Sequence, residues 1–219
     1  MQGGGLFEGR SYDPQLFLDG AVSYYLVATD AKETEVNYLN GFKQSIPADL
    51  QNKIVVRVLK NIQPDSLVDA VLEEASLHAQ YAEKWIVLDR DRVTNFDAII
   101  ERAKAKDVKT GWSNPCIEIW FMAYYGSMPT YTESQNCWKD FKALLKRKTG
   151  VEYDKADKTI YKRLTESGSE KKACEVAEAR YRKCLHDGIT KPSEMLSTTT
   201  LYNLICEIKE KVEKEKRGE

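Results

Sequence analysis

Lys84 to Val93 read KWIVLDRDRV: four consecutive apolar residues, two of them β-branched, and then acid, base, acid, base. A short apolar run closed by charges is the pattern of a buried strand whose carboxyl end opens into a polar loop. After the turn Arg90 to Asn95, the segment FDAIIERAKAK from Phe96 has helical spacing. The same unit occurs twice upstream. AVSYYLVA (Ala21 to Ala28) predicts a strand that ends at Thr29 and Asp30, and Glu33 to Ile46 then spaces Val36, Leu39, Phe42 and Ile46 as a helix does, with Pro47 closing it. KIVVRVL (Lys53 to Leu59) predicts a second strand, followed by a helix opened by Pro64 and running to about Tyr81 on the stripe Leu67, Val68, Val71 and Leu72. Strands that alternate with helices at this spacing predict an α/β fold with a mainly parallel sheet flanked by helices.

Beyond Lys106 the rhythm changes. GWSNP (Gly111 to Pro115) predicts a turn, with Asn114 capping the next helix, and CIEIWFMAYY (Cys116 to Tyr125) is apolar on every side and so predicts a buried helix. Glu133 to Lys148, Ala156 to Glu166, Glu170 to Leu185 and Thr199 to Lys216 are amphipathic and charged, and predict a helical carboxyl-terminal portion. The expected organisation is a lead-in over residues 1–20, an α/β core over 21–126 and helices over 127–219 packed on that core.

Composition narrows the chemistry. With 42% hydrophobic and 31% charged residues the chain is neither disordered nor membrane-spanning, and no run approaches the about 18 apolar residues a span requires. The start MQGGGLFEGRSYDP lacks a basic region and an apolar run, so a cytoplasmic location is expected. The five cysteines are odd in number with no CxxC pair, which supports neither a disulfide frame nor a zinc site. Two histidines without ligand-spaced partners, and no recognisable nucleophile motif, turn attention to carboxylates. A net charge of -1 means that any phosphate-binding surface is local, and no Gly-rich phosphate loop is present.

In parallel sheets ligands bind beyond the carboxyl ends of the strands. Two acidic clusters fall there: Asp30 with Glu33 and Glu35 after the first strand, and Asp89 with Asp91 after the third. Aspartates at i and i+2 leaving a strand can both offer oxygen to one hard cation, Mg²⁺ or Mn²⁺. Each acid alone reads equally as a helix cap or a solvated group; their common edge is what favours a metal site. Glu118 is the one acid of the apolar helix, either paired, turned to the rim or bound to metal. Lys32, Arg90, Arg92, Lys104 and Lys106 are bases expected near that edge and able to hold phosphates.

These stretches also resemble the RloB-like family, whose pattern is Glu-Gly-x-x-Thr-Glu-x-x-Tyr after a strand, a later Asp-x-Asp, and then Asn-Pro-x-x-Glu-x-Trp. The corresponding segments are DAKETEVNYL (Asp30 to Leu39), LDRDRV (Leu88 to Val93) and NPCIEIW (Asn114 to Trp120), with YDKADKTIYKRL (Tyr153 to Leu164) and STTTLYNLI (Ser197 to Ile205) matching its later part. The resemblance implies a Toprim-like fold and a magnesium-dependent nuclease or related hydrolase of bacterial antiviral defence and abortive infection, acting on nucleic acid. It also implies an AAA-type or ABC-type ATPase as partner, with self-association as a further option. On this basis Asp30, Asp89 and Asp91 are metal ligands, and Glu35 and Glu118 are auxiliary acids or bases. Asp30-Ala31 departs from the family's Glu-Gly: the carboxylate is one methylene shorter and alanine lacks glycine's freedom at positive φ. That departure supports an alternative, a weakened or inactive module that binds the ATPase.

Overall fold

The computed structural model describes residues 22–78, 81, 83–91 and 93–218. Residues 1–20, expected to form a lead-in, lie outside them. The chain begins with strand β1 (Ser23–Thr29), helix α1 (Thr34–Ser45), strand β2 (Ile54–Leu59), helix α2 (Leu67–Leu77), strand β3 (Glu83–Asp89) and helix α3 (Phe96–Ala105). It continues with strand β4 (Lys109–Asn114), helices α4 (Glu118–Ala123), α5 (Ser134–Thr149), α6 (Ile160–Ser167) and α7 (Glu170–His186), strand β5 (Thr198–Thr199) and helix α8 (Leu201–Arg217). The sheet order is β2-β1-β3-β4-β5, as the mixed α/β reading expects. The first four strands are parallel, with Val27 opposite both Val58 and Trp85, and β5 runs antiparallel to β4.

Strand alternation sends successive side chains to opposite faces, and β1 and β3 are apolar on both. Tyr25, Val27, Trp85 and Val87 face one core built with α1, α4, α5, α6 and α8. Leu26, Ala28, Ile86 and Leu88 face a second core built with α2 and α3. The expected burial of Cys116 to Tyr125 is observed from Cys116 to Tyr124, and α4 is enclosed on all sides. Gly41 lets α1 meet α6 closely: a Cβ there would come within 2.6 Å of the Tyr161 Cβ.

Three local expectations are corrected. GWSNP is not a turn; Gly111 to Asn114 lie in β4, and Asn114 caps no helix. Polar and glycine residues persist in this buried strand because distant partners satisfy them. Trp112 exchanges hydrogen bonds with Thr200 (2.8 and 3.1 Å), Ser113 bonds the Thr199 hydroxyl at 3.0 Å, and the Asn114 amide donates to the carbonyls of Pro192 and Ser193 at 3.1 and 3.0 Å. Gly111 leaves the space that Leu201 fills. The second correction is that α2 stops at Leu77, because His78 is extended (φ -136°, ψ 91°) and Tyr81 instead packs its ring on Tyr24. The third concerns Ala156 to Glu166, where Asp154 and Asp157 make side-chain turns to the amides of Ala156 (2.9 Å) and Thr159 (2.8 Å), which delay α6 to Ile160.

Candidate functional site

The chain leaves β1 to form β2 on one side and returns to form β3 on the other, so the carboxyl ends of β1 and β3 are neighbours at the point where the strand order reverses. Asp30 follows β1 directly, in a bend where the Ala31 amide donates to the Thr29 hydroxyl at 3.2 Å. Among the described residues positive φ falls on Asn61, Asp107, Ser197 and four glycines, so the Asp30-Ala31 turn needs none of glycine's freedom. Glu35 lies in the first turn of α1 and is 7% exposed. Asp89 ends β3 and accepts the Ile117 N–H at 3.0 Å through Oδ2, holding the entry to α4. Arg90 and Asp91 donate their amides to the carbonyls of Ser113 (2.8 Å) and Pro115 (3.0 Å), which docks the Asp89 to Asp91 loop on the Asn114-Pro115 segment, whose peptide is cis.

Glu118 opens α4 and is 1% exposed, so it does not reach the rim. Its Oε1 accepts the Tyr153 hydroxyl at 2.9 Å and stands 3.9 Å from the Lys155 ammonium. The Thr34 hydroxyl donates to the Lys155 carbonyl at 3.2 Å and ties this segment to the start of α1. The residues expected to cap α1 and α3 do not do so. Glu33 and Asn95 occupy the N-cap positions of α1 and α3 without a side-chain cap bond, and Asp97 binds Ser193 instead.

The acids act on one another electrically. Burial pushes the Glu35 carboxyl up to about 7, and the charges of Asp30 and Glu118 add to this, while backbone N–H bonds and a hydrogen bond with Asp89 oppose it. Asp89 is raised well above the carboxylate range by burial and then by the charges of Glu35, Glu118 and Asp30; burial lifts Asp30 to about 6. Like charges held this close retain protons or require a cation. A raised carboxyl binds more protons folded than unfolded, so its folding stability is lost as pH rises from about 4.5 to about 7. In chelator, thermal unfolding should therefore occur at a lower temperature at pH 7.5 than at pH 5. Glu35→Gln should recover on the order of 2 kcal/mol at the higher pH and flatten the slope. A wild type equally stable at both values would contradict the crowding, with differential scanning calorimetry as the measurement.

Asp30, Glu35, Asp89 and Glu118 thus gather on one edge, and Asp91, two residues after Asp89, is exposed. Lys32 is exposed in the turn after β1 and Arg90 is half-buried in the turn after β3, both on this edge; Arg92 lies outside the described residues. Lys104 and Lys106 do not join them. A crossover helix runs back against its strands, so the end of α3 sits at the amino edge beside the start of β4, about 15 Å of helix away from the acids. Lys104 instead borders a concavity of about 1750 Å³ with Trp85 and Lys109. Tyr153 and Lys155 complete the edge, and the segment YDK was the visible signal for them, although its spacing showed no chemistry.

An all-oxygen carboxylate set suits a hard divalent cation such as Mg²⁺ or Mn²⁺. Among the described residues no three histidine, cysteine or acidic side chains stand in a ligating arrangement, so holding a metal here requires side-chain rotation. No helix among the described residues is long and apolar enough to cross a membrane. No curated protein and no solved structure matches the chain. The three acidic segments and the Tyr153 to Leu164 segment all lie within residues 25–208, which match the RloB-like protein family over most of the chain, and the protein belongs to that family.

Proposed function

We propose that the protein is a divalent-metal-dependent nuclease, or a related phosphoryl-transfer effector, of bacterial anti-phage defence. The observation that carries the chemistry is the convergence of Asp30, Glu35, Asp89 and Glu118, from three separate segments, at the reversal point of the sheet. The defence setting and an ATPase partner rest on the family resemblance alone.

Asp30, Asp89 and Asp91 would hold Mg²⁺ or Mn²⁺, which when bound neutralises phosphate charge and makes water nucleophilic near neutral pH. The chain's own residues do the rest. Lys32 and Arg90 stand where they can hold the substrate's phosphates and set the strand in place. Glu35 would take the proton from an attacking water, and Glu118, held by Tyr153 and Lys155, would add to the field at the acidic edge.

The test is calorimetric titration of Mn²⁺ and Mg²⁺ into the wild type, followed by incubation with mixed DNA and RNA. Metal binding with metal-dependent cleavage supports the reading. Absence of metal binding sinks it. Binding without cleavage favours the second reading, a non-catalytic module partnering an ATPase, to which the shortened Asp30 carboxylate already points.

A further inference from the structure

Cysteine spacing argued against a disulfide, yet the fold brings two thiols together from segments 32 residues apart. Cys174 on α7 and Cys206 on α8 share an S–H···S hydrogen bond with their sulfurs 2.9 Å apart. Both are partly exposed, and both border the concavity of about 1750 Å³, so a small reagent can reach them. Cys116 and Cys137, by contrast, are both shut in the core at 4% and 0% exposure. We propose that Cys174 and Cys206 form a reversible dithiol site, oxidised to an α7–α8 disulfide by a low-molecular-weight disulfide of the glutathione type.

The bond with Cys174 holds the Cys206 thiol below its ordinary range, while the same bond and burial raise Cys174; Glu175, Glu178 and Glu210 are the charged groups acting on the pair. Either sulfur can attack first once it is ionised. Where Cys206 does so, it attacks one sulfur of oxidised glutathione, expels one glutathione thiolate and leaves a mixed disulfide on Cys206. Cys174 then loses its proton, attacks the Cys206 sulfur and expels the second glutathione. Two electrons pass from the protein thiols to the glutathione disulfide, and the two thiol protons end on the two glutathiones released. Closing the bridge brings the sulfurs from 2.9 Å to a bond of about 2.05 Å. The bridge closes a loop that contains β5, so it stiffens the strand that completes the β4 edge.

The experiment is incubation of the native wild type, Cys174→Ser and Cys206→Ser in oxidised glutathione, with alkylation of the remaining thiols and peptide mass spectrometry. The wild type should lose two thiols as a Cys174–Cys206 cross-link that dithiothreitol reverses, with an unfolding temperature several degrees higher when oxidised. Cys174→Ser and Cys206→Ser should each stop at a single glutathione on the remaining thiol, without a cross-link. Five alkylatable thiols in the wild type at saturating oxidant, or a Cys116–Cys137 link in its place, would overturn the proposal.

Discussion

Asp89→Asn should weaken Mn²⁺ binding by about a hundredfold or more and lower metal-dependent cleavage at least as much, while leaving the fold intact. Asp89 sits among Glu35, Glu118 and Asp30 and feels the charge of each, so its carboxylate is where a cation gains most. Asparagine keeps an oxygen to accept the Ile117 N–H, so the entry to α4 survives the change. It also removes a charge that its neighbours repel, so the metal-free variant should unfold at the wild-type temperature or above it. The two readouts are expected to move in opposite directions, which separates a lost ligand from a damaged fold. Calorimetric titration and a cleavage assay on the same preparation decide the matter. A variant that binds and cuts like the wild type would remove Asp89 from the site.

The largest stability effect is expected at Trp120. The ring is fully buried in α4, edge-on to Tyr38 at 6.4 Å and to Tyr124 at 5.4 Å, at the junction of α1, α4 and the carboxyl-terminal helices. Trp120→Ala should cost about 3–5 kcal/mol, because the rings around it cannot collapse into the space it leaves. For a chain of this size that lowers the unfolding temperature by roughly 10 °C. Leu77→Ala, on a side chain 69% exposed, should change stability by no more than about 0.5 kcal/mol and serves as the control. Urea unfolding followed by tryptophan fluorescence or circular dichroism measures both. Because α4 also carries Glu118, the Trp120 variant should lose order at the acidic edge together with stability.

Local pattern determined most of the framework. The apolar runs Tyr25 to Ala28, Ile54 to Val56 and Trp85 to Leu88 became strands and the periodic segments between them became helices, because strand burial and an amphipathic stripe are properties of neighbouring residues. The same pattern placed Asp30 and Asp89 at strand ends, and composition singled out Glu118 as the lone acid of an apolar helix. Where the pattern failed, the deciding partner was far away in sequence. KTGWSN has the composition of a turn, and it is a strand because Thr198 to Thr200 satisfy its polar groups from 86 to 90 residues further on. Lys104 and Lys106 follow the acids in sequence but sit at the opposite edge, since the intervening helix reverses the direction of the chain. Tyr153 and Lys155 reach Glu118, and Cys174 reaches Cys206, only through packing that spacing does not encode. The sequence alone thus determined which acids lie at strand ends and which lies in the apolar helix, as consequences of hydrophobic periodicity and strand polarity. Which of them face one another, and which carboxyls crowd enough to hold a proton, was decided only by the tertiary structure, because those depend on distances across the fold.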